Sequence, residues 1–473
     1  VSAATPDPTR WTLVEAAEAV AAKQVSSEEL VRACLARIER TQPVINSFIA
    51  VEAEEALAAA RTADAELAQG RLRGPLHGVP LAHKDMFYRA GRVCSCGSRI
   101  RHDWRPDVTC TLIERLEAAG AIHLGRLNMT EFASGPHGLN QTFGHCRNPW
   151  DPERITGGSS SGAGAALAAR QVFGALGSDT GGSVRLPAAF CGVVGLKPTY
   201  GRVSRAGAMQ LSFSMDHVGP LTRTVRDCAR LLRIVAGHDP RDTTSSHEPV
   251  PDYEALLGRP IRGVRIGLPT NYYTDGLSEP VRTALEAAQV VFRAQGAELQ
   301  EVSLPDHDLL YVLGALVTRT EISTVHRRWL ISRPEDYDPQ VRARASIGLY
   351  VPGTRYLDAL NLRAAVLERM MAEVYSQVDV LLVPGTSFPA PLIADADVGA
   401  SPVYLQLLAS ISHCTQPANY LGLPALALPA GFSPEGVPVS LQLIGRPFGE
   451  ARLLNLGDAY QQATDWHTRV PPL

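Results

Sequence analysis

Residues 157–204 read GGSSSGAGAALAARQVFGALGSDTGGSVRLPAAFCGVVGLKPTYGRVS. Small residues this dense let backbone approach backbone and permit positive φ at glycine. They also leave main-chain N–H groups where no side chain blocks them. The run Ala163 to Arg170 reads as a helix, so the Ser-Gly loop before it opens a helix N-terminus. A short apolar strand, 172–176, then leads into a second donor-rich turn, Asp179-Thr-Gly-Gly-Ser183. Turns of this kind can aim amides at a developing oxyanion.

The same grammar extends outward. Val79-Pro-Leu-Ala, Ala121-Ile-His-Leu and Val264-Arg-Ile-Gly-Leu alternate with helical segments 111–119, 222–237 and 279–295. Strands alternating with helices imply an α/β fold around a largely parallel sheet. Before them, Thr12 to about Arg40 is helical, with Ser26 as an N-cap, and 51–70 forms a second helix. The Pro- and Asp-rich stretch 239–252 reads as a surface loop rather than a domain boundary. The expected organisation is one domain over 1–473, with a helical segment of about 1–70 packed on it.

Two phosphate-binding readings fail. No lysine follows either glycine loop, as a P-loop requires, and the Gly-x-Gly-x-x-Gly dinucleotide pattern is missing. The Gly-x-Ser-x-Gly elbow also fails, because Arg185 stands where its second glycine belongs. Bulk charge excludes little but favours neither nucleic acid nor anionic membrane: the 473 residues carry a formal net charge of -3. No apolar run is long enough to span a bilayer. The opening VSAATPDPTR does not read as a secretory signal. The eight scattered cysteines lack Cys-x-x-Cys spacing and read as reduced thiols of a cytoplasmic protein.

One compositional fact is sharper. Of 45 basic residues only Lys23, Lys84 and Lys197 are lysines. Arginine cannot release its proton in a protein, whereas a buried lysine can. The three lysines are therefore worth inspecting one by one.

These segments resemble the amidase-signature family. The resemblance rests on GVPLAHKD (78–85), GGSSSGAGAALAA (157–169) and the 177–204 run, with Asn148-Pro-Trp and Leu423-Pro-Ala-Leu-Ala-Leu-Pro in support. It spans roughly residues 60–460. It implies a large mixed, mostly parallel sheet covered on both faces by helices. It also implies Ser183 as nucleophile, Ser159 as proton relay after a cis peptide, and Lys84 as base. The amides of Thr180, Gly181, Gly182 and Ser183 correspond to an oxyanion hole, and main chain near Ala133 and Ser134 to a substrate contact. No metal or organic cofactor is implied.

The chemistry of the residue types agrees. A serine hydroxyl needs a base to become a nucleophile, and a lysine can serve only if burial lowers its pKa. Ser159 can pass a proton because a hydroxyl both donates and accepts. Simpler roles remain open: Lys84 pairing with Asp85, Lys197 supporting the Pro-Thr-Tyr-Gly turn, Asp179 and Arg185 organising the nucleophile turn. A histidine-based triad would have His83 as its first candidate.

The expected function is hydrolysis of a small, fairly apolar or aryl amide through an acyl-enzyme. Carbamate (urethane) and ester cleavage use the same acyl transfer. A further alternative is the glutaminase subunit of a tRNA-dependent amidotransferase, which the family pattern gives a Gln at Leu186 and an acid near Ser412. Both departures point to a less polar substrate. Side chains of the acyl pocket are sought in 205–216, 311–330 and 343–351, with Met209, Phe213, Met215, Tyr311, Trp329 and Tyr350 as candidates. The partner is a small-molecule substrate, without nucleic acid or membrane, on a monomer or homodimer.

Overall fold

The computed structural model describes residues 7–473; the first six residues of the helical segment expected over 1–70 lie outside the described residues. Eleven strands form a single sheet. In chain order they are β1 Phe48–Val51, β2 Pro80–Lys84, β3 Ile122–Leu127, β4 Gly174–Asp179, β5 Val194–Lys197 and β6 His217–Thr222. There follow β7 Arg265–Pro269, β8 Glu298–Val302, β9 Val380–Pro384, β10 Ala425–Phe432 and β11 Pro438–Gly445. Their spatial order is β1-β3-β2-β4-β6-β5-β10-β11-β9-β7-β8.

The α/β/α layering agrees with expectation, but the balance of strand directions does not. Six neighbouring pairs are antiparallel (β1–β3, β4–β6, β5–β6, β5–β10, β10–β11, β9–β11), and four are parallel. Alternation along the chain foretells parallel crossovers, and those occur at β2–β3, β2–β4, β7–β8 and β7–β9. In the middle of the sheet, β10 and β11 follow one another through a tight turn and so run antiparallel.

The helices follow local chemistry. Thr12 and Ser26 each accept an amide from a residue three on, and Glu15 and Glu29 return the bond, starting the helices Leu13–Ala21 and Ser27–Ile45. The glycine-serine run forms the buried helix Ser161–Ala168. A Cβ on Gly162 would stand 2.2 Å from the Ser47 carbonyl oxygen, so only glycine lets this helix lie against its neighbour. Among the described residues no helix is long and apolar enough to cross a membrane. All eight cysteines are free and buried.

β2 and β4 are adjacent and parallel, pairing Ala82 with Ala175 and His83 with Leu176. Their carboxyl ends therefore lie side by side. β2 ends on Lys84 and β4 runs into the Asp179–Ser183 turn, and this juxtaposition builds the site.

Candidate active site

Lys84 is 1% exposed, and its Nζ lies 2.7 Å from Ser159 Oγ and 2.8 Å from Ser178 Oγ. Burial lowers its pKa to about 7, against the opposing pull of Asp179 and Asp216. Desolvation penalises the charged amine and wins here because no carboxylate touches Nζ. Asp85, the neighbour in sequence, instead pairs with Arg126 at 3.1 Å and accepts from Ser95. At neutral pH a large fraction of Lys84 is therefore uncharged and able to accept a proton.

Ser159 is fully buried, and the Gly158–Ser159 peptide is cis. The loop carrying it is tied to the Asp179–Ser183 turn: the Ser160 N–H donates to the Ser183 carbonyl oxygen at 3.2 Å. Ser183 remains 8% exposed and faces a cavity also lined by Thr180, Gly181 and Leu186. Of the three residues, Ser183 is the one that lines the cavity, while Lys84 and Ser159 lie behind it.

The turn is held from below by Asp179. Its Oδ1 accepts from Gly182 N at 2.8 Å and from Asn419 Nδ2 at 2.8 Å, and its Oδ2 accepts from Val184 N at 3.1 Å. Arg185 grips both carboxylate oxygens at 3.0 Å, and both residues have no exposed side-chain surface. Burial alone would raise the Asp179 pKa, but Arg185, Lys197 and Asn419 together outweigh it and hold the group well below the ordinary carboxylate range. Asp179 and Arg185 thus organise the turn, as expected. The Gly182 amide is committed to Asp179, whereas Thr180, Gly181 and Ser183 line the cavity. Gly182 keeps a positional role: its φ is 127°, and a Cβ there would stand 2.2 Å from Thr415 Oγ1.

This anchoring carries a prediction. Asp179→Asn leaves Arg185 buried without a counter-charge, which costs about 3–5 kcal/mol in comparable pairs. Urea unfolding should show a midpoint lowered accordingly, with kcat falling as the turn loosens. An unchanged midpoint would remove Asp179 as the anchor.

The other expected residues are placed as follows. Ala133 lines the cavity, with positive φ (59°), and Ser134 beside it is buried with an unpartnered hydroxyl. Met209 and Phe213 do not reach the cavity. The Met209 thioether packs by Arg101 Nη1 at 3.2 Å, and Phe213 is 40% exposed with only its carbonyl engaged, by Tyr200 and Arg205. Met215 is buried against Thr318, Trp329 stacks on Phe132 at 5.4 Å, and Tyr350 points to solvent. Of the pocket aromatics only Tyr311 lines the cavity. Lys197 is buried, donates to the Pro198 carbonyl oxygen at 2.9 Å, and so supports the following turn; Lys23 is exposed. His83 Nδ1 accepts from Leu176 N–H at 3.1 Å, and burial lowers its pKa to about 3. Its ring packs beside His123, so it is a structural histidine of the sheet.

Several site residues have no place in the sequence reading. Ser178, inside the quoted run, is the second partner of Lys84. Arg319 and Arg344 line the cavity with Leu186, Leu211, Leu408, Ser412 and Gln416. No Asp or Glu is on that wall, and the groups acting on Arg344 beyond its own desolvation are Tyr404, Arg319 and Tyr311. Two cationic heads thus face the cavity without a carboxylate partner among the described residues.

Comparison with known proteins places the chain in a family. A family model described as Amidase matches residues 29–454, and the chain belongs to that family, the amidase-signature hydrolases acting on C–N bonds. It is 44% identical to a glutamyl-tRNA(Gln) amidotransferase subunit of Chloroflexus aurantiacus, over 98% of each chain. The solved structure of the corresponding glutamyl-tRNA(Gln) amidotransferase subunit from Thermotoga maritima is 31% identical, with a TM-score of 0.82 over 99% of this chain and 98% of that one. A structure described as a vestigial protein complex revealing the evolutionary origins of an s-triazine catabolic enzyme is 35% identical. It superposes with a TM-score of 0.90, over 96% of this chain and 98% of that one.

Proposed function

We propose that the chain is a cofactor-independent serine hydrolase that cleaves the amide bond of a small anionic amide. Ser183 is the nucleophile, Ser159 passes its proton, and Lys84 receives it. The observation that carries this reading is the buried Lys84 amine, 2.7 Å from Ser159 Oγ with its pKa lowered to about 7. The acyl-enzyme forms as Ser183 Oγ attacks the carbonyl carbon, and the cavity-wall amides stabilise the oxyanion. The proton held by Lys84 returns through Ser159 to the leaving nitrogen. Water then repeats the sequence to release the acid. We also read 1–473 as one domain, since the single sheet joins strands from Phe48 to Gly445.

The substrate reading departs from the apolar amide expected from sequence. Arg319 and Arg344 make the cavity wall cationic, while Leu186 and Ser412 leave no counter-charge for an ammonium group. Glutaramate, a primary amide with one carboxylate and no ammonium, fits this wall better than glutamine. A panel of glutaramate, glutamine, butyramide, an anilide, an ester and a carbamate tests it. Glutaramate should show the highest kcat/KM. Arg344→Gln should lower that value by about 10–100-fold, the worth of a charge-assisted hydrogen bond, and leave butyramide nearly unchanged. Equal losses for both would show that Arg344 shapes the cavity instead of binding an anion.

A second reading is favoured by the 44% identity to an amidotransferase component over 98% of the chain. On it, the chain is a glutaminase subunit that hands ammonia to a partner subunit. Glutamine would then outperform glutaramate, and its turnover would rise when partner subunits are added.

A further inference from the structure

The cavity at Ser183 has a volume of about 30 Å³ as its side chains stand, so even a short amide enters only as they give way. Ligand pockets ordinarily measure about 300–1,000 Å³. Next to it lies a second cavity of about 500 Å³, walled by Tyr272, Asp275, Asp308, Phe388, Ala409 and His413. Among the described residues Tyr311 alone lines both cavities. It projects from the helix His307–Ser332, one turn before Ala315 and two before Arg319, which face the inner cavity. Its phenol is close enough to act electrostatically on Arg344 on one side and Tyr272 on the other. On the outer wall Tyr272 and His413 stack at 4.0 Å, and each side chain bonds the other's carbonyl oxygen, at 2.9 and 3.0 Å.

We propose that Tyr311 is a specificity-determining divider, whose ring restricts the site to short amides and closes off the 500 Å³ cavity as a latent subsite for a longer substrate. The inference rests on the Ser183 site described above. The ring does this by volume: with it in place, a chain running from the scissile carbonyl meets the phenol before reaching Phe388 or Ala409. Removing the ring joins the two spaces. The joined cavity then has the size of an ordinary ligand pocket, with an aromatic wall suited to methylene chains.

The test compares glutaramate with two extended substrates, its N-butyl amide and a primary amide whose acyl chain carries four more methylenes. Tyr311→Ala should raise kcat/KM of at least one extended substrate, relative to glutaramate, by about tenfold, the scale of a few methylenes gaining a pocket. Tyr311→Phe keeps the ring and should keep the wild-type ratio. Ala409→Trp refills the outer cavity, so it should cancel the gain in the Tyr311→Ala background while leaving glutaramate turnover by the otherwise wild-type enzyme unchanged. Stoichiometric labelling of Ser183 by a small fluorophosphonate certifies that each variant is folded; Tyr311→Leu replaces the alanine variant if that one is not. Both ratios rising less than about threefold, or rising equally in Tyr311→Phe, overturns the proposal. Failure of the underlying site reading looks different: the wild-type enzyme would then neither label at Ser183 nor hydrolyse any short amide.

Discussion

Ser183→Ala should abolish amide turnover, with kcat falling by about 10⁴–10⁶-fold and the fold intact. The size follows from the role. Removing a nucleophile leaves only the oxyanion donors and substrate binding, and in serine hydrolases the rate they sustain is small beside that of the intact enzyme. Folding should survive because the anchors of the turn are not on the Ser183 side chain. Asp179 holds the backbone at Gly182 and Val184, and the Ser183 carbonyl oxygen accepts from Ser160. Intact protein mass after fluorophosphonate treatment should show one adduct on the wild-type enzyme and none on the variant. Adduct formation at an unchanged rate would place the nucleophile elsewhere.

Lys84→Arg should be nearly as damaging as Lys84→Ala, each lowering kcat by about 10²–10⁴-fold, the range of general acid–base assistance. Arginine keeps a positive charge but cannot accept a proton. An electrostatic role would therefore survive the arginine variant, and a base role would not. Ser159→Ala breaks the same path at its middle, so its loss should be similar and should not add to that of Lys84→Ala. A histidine-based mechanism predicts the reverse, with Ser159→Ala near wild type and His83→Ala severe. The His83 ring, holding the Leu176 amide in the sheet, gives no structural support to that pattern.

How much of this was legible in the sequence differs by residue. Lys84, Ser159 and Ser183 lie in motifs whose small residues are demanded by backbone approach, as the 2.2 Å clashes at Gly162 and Gly182 show. Such motifs are local and readable. The strand directions were less so, because the antiparallel pairing of β5 with β10 joins segments more than 200 residues apart. The acyl pocket was half legible. All three segments, 205–216, 311–330 and 343–351, supply the wall, but through Leu211, Tyr311, Ala315, Arg319 and Arg344, and of the aromatic candidates only Tyr311 takes part. Nothing local marks an arginine as unpaired, since that depends on which carboxylates the fold brings near it. Met209 and Phe213 failed for the same reason: an apolar side chain fits a core, a surface or a pocket equally well.

The central claim is that a neutral Lys84 draws the proton of Ser183 through Ser159. The direct measurement is the second-order rate of Ser183 phosphonylation as a function of pH, in the wild-type enzyme and in Lys84→Arg. With the Lys84 pKa lowered to about 7, the lysine is protonated and idle below that value and free above it. The wild-type rate should climb about tenfold per pH unit below 7 and level off above it. In Lys84→Arg the rate should be low and lack the step. A step near pH 7 that persists in Lys84→Arg would contradict the account, because the titrating base would then be another group.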